Sequence, residues 1–177
     1  MGEKVINNLF LAKPDKKYQK SFEDYVLAYK TTGDEHYFNK YKKGLENFSE
    51  YLTDLHNYSN GIDLPEGEIM TSTFWLIDNN EVVGVVRLRH QEDKYSGHIG
   101  ADISPYQRKK GYGTQMLKLA VEEAAKIGID EAIVTCNVEN IASKTIIEKN
   151  NGKFLGSIFD EEENENLYKF SIATSNE

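Results

Sequence analysis

Between Ile103 and Leu117 the chain reads Ile-Ser-Pro-Tyr-Gln-Arg-Lys-Lys-Gly-Tyr-Gly-Thr-Gln-Met-Leu. Three consecutive cations, Arg108, Lys109 and Lys110, precede two glycines, Gly111 and Gly113, and an apolar-periodic stretch then begins at Thr114. Those residue types in that order can hold a phosphate. Glycine lets main chain approach a ligand, and the first turn of a helix offers N–H groups without partners and the positive end of its dipole. The cations add charge at the rim. Two better-known phosphate loops do not fit. A nucleoside-triphosphate loop needs a lysine where Gly113 runs directly into Thr114, and a dinucleotide fingerprint needs a third glycine where this chain has Met116.

A second polar segment follows at the spacing of one helix and one strand. The helix predicted over Thr114 to Ile127 stops at Gly128, Ala132 to Thr135 reads as a strand, and Cys136 to Asn140 leads into another helix through Lys149. Arg-x-x-Gly-x-Gly, with Ile103 to Tyr106 before it and Thr114 to Leu117 after it, resembles the acetyl-coenzyme-A loop of the GNAT (Gcn5-related) N-acetyltransferase family. Asn140, Ala142, Glu148, Lys149 and Gly152 are similar to the family's next conserved segment. The resemblance spans Thr71 to Ile172, and His98 to Phe154 carries most of its specificity.

The resemblance implies acetyl-coenzyme A as co-substrate and no metal. Its pyrophosphate would lie on the N–H groups of Arg108, Lys109, Lys110, Gly111, Tyr112, Gly113 and Thr114. The pantetheine arm would pass between two splayed strands, one ending at Ile103 and the other at Asn137. Ile103 would supply main-chain contacts, Asn140 an amide that both donates and accepts, and Ser143 or Lys144 a contact near the nucleotide. A neutral amine would attack the thioester directly, so the protein has to orient, polarise a carbonyl and remove a proton.

Candidate bases are His98, which titrates near working pH, and Asp102; Glu92 and His90 are weaker choices. Many members of the family carry a tyrosine just before the Glu-Lys pair to protonate the departing thiolate, and here that position is Ile147. Solvent or another hydroxyl, such as Tyr112 or Tyr168, would then be the donor, or the thiolate would leave unassisted. An extra residue at Asn150-Asn151 also departs from the family's spacing. Cys136 has no His–Asp partner pattern around it and reads as a small buried residue. His36, His56, His90 and His98 show no metal-ligand spacing, so no metal site is expected.

These residues need a scaffold. The 177 residues, 39% apolar and 11% aromatic, suit one globular domain over 1–177. Helical stripes run through Tyr18, Phe22, Tyr25, Val26 and Tyr29, behind Pro14, and through Phe38, Tyr41, Leu45, Phe48, Leu52 and Leu55. These two helices within 14–58 would cover the acceptor side of an acetyl-coenzyme-A core over 71–172. Thr71 to Ile77 and Glu81 to Arg89 read as a hairpin around Asp78-Asn79-Asn80, Gly97 to Ile103 as the next strand, and Phe154 to Phe159 with Asn166 to Ile172 as a last hairpin whose acidic tip is solvated. The expected fold is α/β: a GNAT-like mixed, mostly antiparallel sheet of about six to seven strands, splayed at the cofactor site, with helices on both faces.

A formal charge of −8 argues against general nucleic-acid binding, because the one basic cluster suits a single small polyphosphate. The same acidity is compatible with a cationic amine as partner. Lys4 and Asn7-Asn8 flank only a short apolar patch, so no leader and no membrane span are expected, and one cysteine fits a reducing cytoplasm. The expected activity is transfer of acetyl to a primary amine of a small molecule or peptide, with a homodimer left open. A reading from a different class is a non-catalytic acyl-coenzyme-A binding or sensing module.

Overall fold

Turn and cap residues set the order of elements in the computed structural model, which describes residues 8–175; Lys4 and Asn7 lie outside the described residues. A short strand β1 (Phe10–Ala12) leads past Pro14 to a 3-10 turn over Lys16–Tyr18, where the Asp15 side chain accepts from the Lys17 N–H. Helix α1 (Gln19–Thr32) then runs to Gly33, whose left-handed φ of 80° returns its N–H to Lys30 and Tyr29 carbonyls. Neither β1 nor the start of α1 beyond Pro14 was evident in the periodicity.

The second apolar stripe, predicted as one helix, is three: α2 (Glu35–Tyr41), α3 (Lys43–Glu46) and α4 (Phe48–Asn60). Asn47 makes the sharpest break. Its extended backbone (φ −152°) ends α3, while its side-chain oxygen accepts from Glu50 N–H at 3.1 Å and caps α4. The bend keeps the apolar residues pointing inward. Gly44 permits it, since a Cβ there would lie 2.6 Å from the Phe22 ring.

The sheet is split in two. Strands β1, β2 (Thr71–Asp78), β3 (Glu81–Asp93) and β4 (Gly97–Ile103) pair antiparallel in that order, and β5 (Glu131–Asn137), β7 (Glu165–Ala173) and β6 (Lys153–Asp160) form a second antiparallel sheet. Asn79 and Asn80, both at positive φ, close the β2–β3 hairpin in the conformation that matches strand twist. The seven strands realise the expected splayed sheet as two sheets meeting at β4 and β5. They touch near the start of β4: the Ile133 N–H donates to His98 Nδ1 at 2.9 Å, and Thr135 Oγ1 donates to the Tyr95 carbonyl at 2.7 Å. A side chain at Gly97 would strike the Ile133 carbonyl, at 2.4 Å.

Two apolar cores sit on opposite faces of the first sheet. Helices α5 (Tyr112–Lys126) and α6 (Ile141–Lys149) cover one, with Leu76, Val86, Leu88 and Ile99 facing Met116, Leu117 and Ala120, and with Ile147 from α6. The N-terminal helices cover the other, where Phe22 stacks on Trp75 at 4.4 Å and on Tyr51 at 5.5 Å. Removing such a fully buried aromatic ring costs about 3–5 kcal/mol. The acidic hairpin tip is exposed from Glu161 to Glu163, as expected, but Asp160 at its base is buried and accepts from the N–H groups of Glu162 and Glu163.

Candidate active site

Strand β4 delivers the chain into a short 3-10 turn, Pro105–Gln107, and Arg108 to Lys110 then lead to Gly111, the N-cap of α5. A glycine N-cap has no side chain to accept from the first turn. Among the described residues, no loop or cap hydrogen bond uses the N–H groups of residues 108–114. A buried ladder would leave no such surplus, so this start of α5 suits an oxyanion. Arg108, Lys109 and Lys110 are exposed around it; Lys110 Nζ reaches Gln107 Oε1 at 2.9 Å and Arg108 Nε reaches the Ile103 carbonyl at 3.4 Å.

The two glycines serve different ends. Gly111 has φ of 85° and open space where a Cβ would be, so it permits the left-handed turn that exposes the N–H groups. At Gly113 a Cβ would sit 2.6 Å from Ile146 Cδ1. Gly113 thus lets α5 and α6 approach closely.

Asp102 is not a free base. Its carboxylate is buried and accepts from Tyr29 at 2.7 Å, Tyr41 at 2.5 Å, Arg87 Nη1 at 2.7 Å and also the Tyr25 hydroxyl. Arg87 Nη1 also donates to the Tyr41 hydroxyl. Burial, and then the Asp102 charge, push the Tyr25 and Tyr41 phenols well above their ordinary range, so these groups stay protonated donors. The cluster fastens α1 and α2 to β3 and β4. Tyr25, Tyr29 and Tyr41 belong to the stripes read as core, and the stripe alone does not reveal hydroxyls aimed at a carboxylate.

His98 is committed as well. A lone pair at Nδ1 is required to accept the Ile133 N–H, so neutral His98 carries its proton on Nε2 and has no free lone pair for an amine proton. Burial, and the positive charge of Arg89, hold its pKa below the ordinary range, against the opposing pull of Glu92. His98 is thus a joint between the two sheets, and its Nδ1 is engaged there. The weaker choices are also engaged: Glu92 pairs with Lys169 at 2.8 Å, and His90 Nε2 shares a hydrogen with Ser72 Oγ at 2.8 Å.

Of the two hydroxyl candidates, Tyr112 is buried at the start of α5 and donates to Asp78 Oδ2 at 2.5 Å. Burial, then that bond, push its pKa up to about 12, and it faces the end of β2 rather than the strand junction. Tyr168 on β7 is half-buried, lies edge-on to Phe154 and carries Lys144 Nζ 5.4 Å above its ring. Its hydroxyl has no partner among the described residues. With Lys144, Glu148, Gly152, Phe154 and Phe170 it lines a cavity of about 310 Å³. Ile147 is buried, and the Cβ of any residue at 152 would meet its Cγ2 at 2.4 Å. Cys136 is buried beside this cluster, and burial pushes its thiol up.

The polar residues at the end of β5 act first on the chain itself. Asn137 donates to Glu165 Oε2 at 2.7 Å and accepts from Glu139 N–H at 2.8 Å, so both ends of its amide are used. Asn140 accepts from Ser143 N–H at 3.1 Å and is the N-cap of α6. Asn137 and Asn140 each keep an N–H donor beyond these bonds. Lys144 is exposed and Ser143 half-buried on α6. The Ile103 carbonyl already accepts from Tyr29 at 3.1 Å as well as from Arg108. Among the described residues, no group of three or more His, Cys, Asp or Glu side chains is placed to hold a metal ion, and no helix is long and apolar enough to cross a membrane.

Comparison with known proteins places this arrangement. The family described as "Acetyltransferase (GNAT) domain" matches residues 20–153. Among solved structures, the ribosomal L7/L12 alpha-N-protein acetyltransferase RimL in complex with coenzyme A is 16% identical, with a TM-score of 0.72 over 97% of both chains. The microcin C7 self-immunity acetyltransferase MccE, in complex with acetyl-CoA and AMP, is 14% identical with a TM-score of 0.69, over 95% of this chain and 94% of its own. A chimera of the spermidine N-acetyltransferase SpeG from Vibrio cholerae is 14% identical with a TM-score of 0.59, over 95% and 96%. No curated protein matches the sequence. At such identities the structural likeness speaks for the fold.

Proposed function

The chain belongs to the GNAT acetyltransferase family, and from that premise we propose that it moves the acetyl group of acetyl-coenzyme A to a primary amine of a peptide or small molecule. The observation that carries the reading is the uncapped start of α5, behind Arg108 to Lys110 and at the end of β4. In this reading the N–H groups of residues 108–114 hold the pyrophosphate and the three cations close over it. Acetyl-coenzyme A supplies an activated thioester. The chain contributes orientation of the amine, polarisation of the carbonyl from the β4 main chain, and exclusion of water.

With His98 and Asp102 committed to structural bonds, the proton in this reading passes to solvent. Tyr168 is the hydroxyl proposed to protonate the departing thiolate, because it alone of the four expected catalytic side chains is uncommitted. The peptide terminus acetylated by RimL and the spermidine acetylated by SpeG define two acceptor chemistries to compare. The buried thiol of Cys136 supports a reducing compartment such as the cytoplasm.

The commitment of His98, Asp102 and Tyr112 to structural bonds is the observation that favours the second reading, a non-catalytic binding or sensing module. Release of free coenzyme-A thiol, measured over polyamines, amino acids, aminoglycosides and short peptides, separates the two. Turnover on any of these amines supports the transferase. Saturable acetyl-coenzyme-A binding without turnover on any of them supports the module.

A further inference from the structure

On the face of β3 and β4 covered by the N-terminal helices, Arg87 and Arg89 stand two residues apart on one strand, so both project to the same side. Across the ladder from Arg87 lies Gly100. A Cβ built at Gly100 would meet Arg89 Nη2 at 3.2 Å, Arg87 Nη2 at 3.3 Å and Arg87 Nε at 3.4 Å. Two guanidinium groups therefore converge over Gly100.

Their hydrogen-bonding capacity is largely unspent. Arg87 uses Nη1 for Asp102 and Tyr41, and its buried Nε has no partner among the described residues. Arg89 makes one bond, from Nη1 to the Ser96 carbonyl at 3.2 Å. The nearby carboxylates are taken: Asp102 by Arg87 and three tyrosines, Asp93 by the N–H groups of Tyr95 and Ser96, and Glu92 by Lys169. Lys40 on α2 joins the same field, its pKa lowered by burial and then by Arg87 and Arg89. Arg87 has its counter-charge in Asp102, whereas Arg89 has no carboxylate within ion-pair distance among the described residues, and an oxyanion between the two guanidinium groups supplies one. A chain of net charge −8 has gathered cations here.

Resting on the acetyl-transfer reading above, we propose that the acceptor is anionic: it carries a carboxylate or phosphate that Arg89, with Arg87, binds over Gly100. Gly100 is three residues before Ile103, on the order of 10 Å along β4, so in the acetyl-transfer reading, where Ile103 lies beside the thioester arm, the oxyanion sits within about three extended residues of that arm. This is the opposite of what the overall acidity of the chain implies, because the local field outweighs the distant one.

The test compares matched acceptors: Ala-Asp-Ala-amide with Ala-Asn-Ala-amide, Ala-Ala with Ala-Ala-amide, and a phosphoserine tripeptide amide with its serine parent. These arms distinguish side-chain carboxylate, terminal carboxylate and phosphate. At least one charged member is expected to show kcat/KM about 10-fold or more above its neutral partner, mostly through KM. Arg89→Gln should erase that preference and Arg89→Lys should keep part of it, with the KM for acetyl-coenzyme A unchanged. Equal rates within every pair, or a preference that survives Arg89→Gln, would overturn the proposal.

Calorimetry with the N-acetylated peptides in the presence of coenzyme A gives a readout independent of turnover. If no amine is acetylated yet the charged N-acetyl peptide binds about 10-fold tighter to the native chain and not to Arg89→Gln, the anion site stands and the transferase reading falls. If charged and neutral N-acetyl peptides bind alike, the anion site falls whatever the turnover.

Discussion

Replacing Asp102 by alanine separates a structural carboxylate from a catalytic one. The substitution leaves Arg87 in a largely buried place without its counter-charge, and breaking one side of a buried ion pair costs about 3–5 kcal/mol. Three tyrosine hydroxyls lose an acceptor, each worth about 1–3 kcal/mol if left unmade. These costs do not add, because Tyr25 and Tyr29 already lie 3.1 Å apart and can bond to each other, and Tyr25 also reaches the Asp102 carbonyl, which the substitution keeps. A net loss of about 4 kcal/mol is expected, which for a chain of this size lowers Tm by roughly 8–16 °C. Differential scanning calorimetry of Asp102→Ala and Asp102→Asn reads it directly. Asp102→Leu combined with Arg87→Met should lose less than the alanine variant, since no charge is stranded. If Asp102→Ala melts within about 2 °C of the native chain while acetyl transfer collapses, the carboxylate works on substrate and the structural argument is wrong.

Other substitutions probe the remaining assignments. Gly111→Ala, forced to a left-handed φ, should cost roughly 1–2 kcal/mol and weaken coenzyme-A affinity in calorimetry; Gly113→Ala should lose stability through the α5–α6 contact, and an equal loss of affinity in both would contradict the division of labour between them. His98 is held below its ordinary value of 6.5, by burial first, so the unfolded chain takes up a proton that the folded chain resists. Its stabilising bond is therefore fully present above about pH 6.5 and lost as pH falls through the folded value. His98→Gln should flatten the decline of Tm between about pH 6.5 and 5, though not abolish it, since the pKa of His90 is lowered too; an unchanged slope would remove His98 from the joint. Tyr168→Phe should reduce kcat by about 10-fold or more with coenzyme-A affinity kept, whereas Ile147→Tyr should overpack against Gly152, lose roughly 1–3 kcal/mol and leave turnover no higher; a rise in turnover at unchanged Tm would show that position 147 faces the thiolate.

The turn into α5 was legible because everything it needs is local: a strand end, three cations, a glycine at the N-cap and an amphipathic helix within fifteen residues. The β2–β3 hairpin was legible for the same reason, with Asn79 and Asn80 supplying the turn. What escaped depends on partners far away in the chain. Asp102 reads as a strand carboxylate until Tyr25, 77 residues earlier, and Arg87 close on it. The closeness of Gly113 to Ile146 likewise depends on α6, about thirty residues on. The breaks within the second helical stripe kept the apolar spacing nearly continuous, so only the capping oxygen of Asn47 marked the start of α4. Arg87 and Arg89 did leave a signal, two cations at alternate positions, one inside and one just past the otherwise apolar run Val82 to Leu88, and this is the pattern of a strand face that serves a charge rather than a core.

The central claim is that residues 108–114, at the end of β4, receive acetyl-coenzyme A. Backbone amide chemical shifts followed through a titration with acetyl-coenzyme A test it most directly, because they report saturation and location together. The account predicts saturable binding with the largest shifts at Arg108 to Thr114 and along β4, absent when Gly111 is replaced by valine. Binding whose shifts fall elsewhere, or no binding at all, would contradict it.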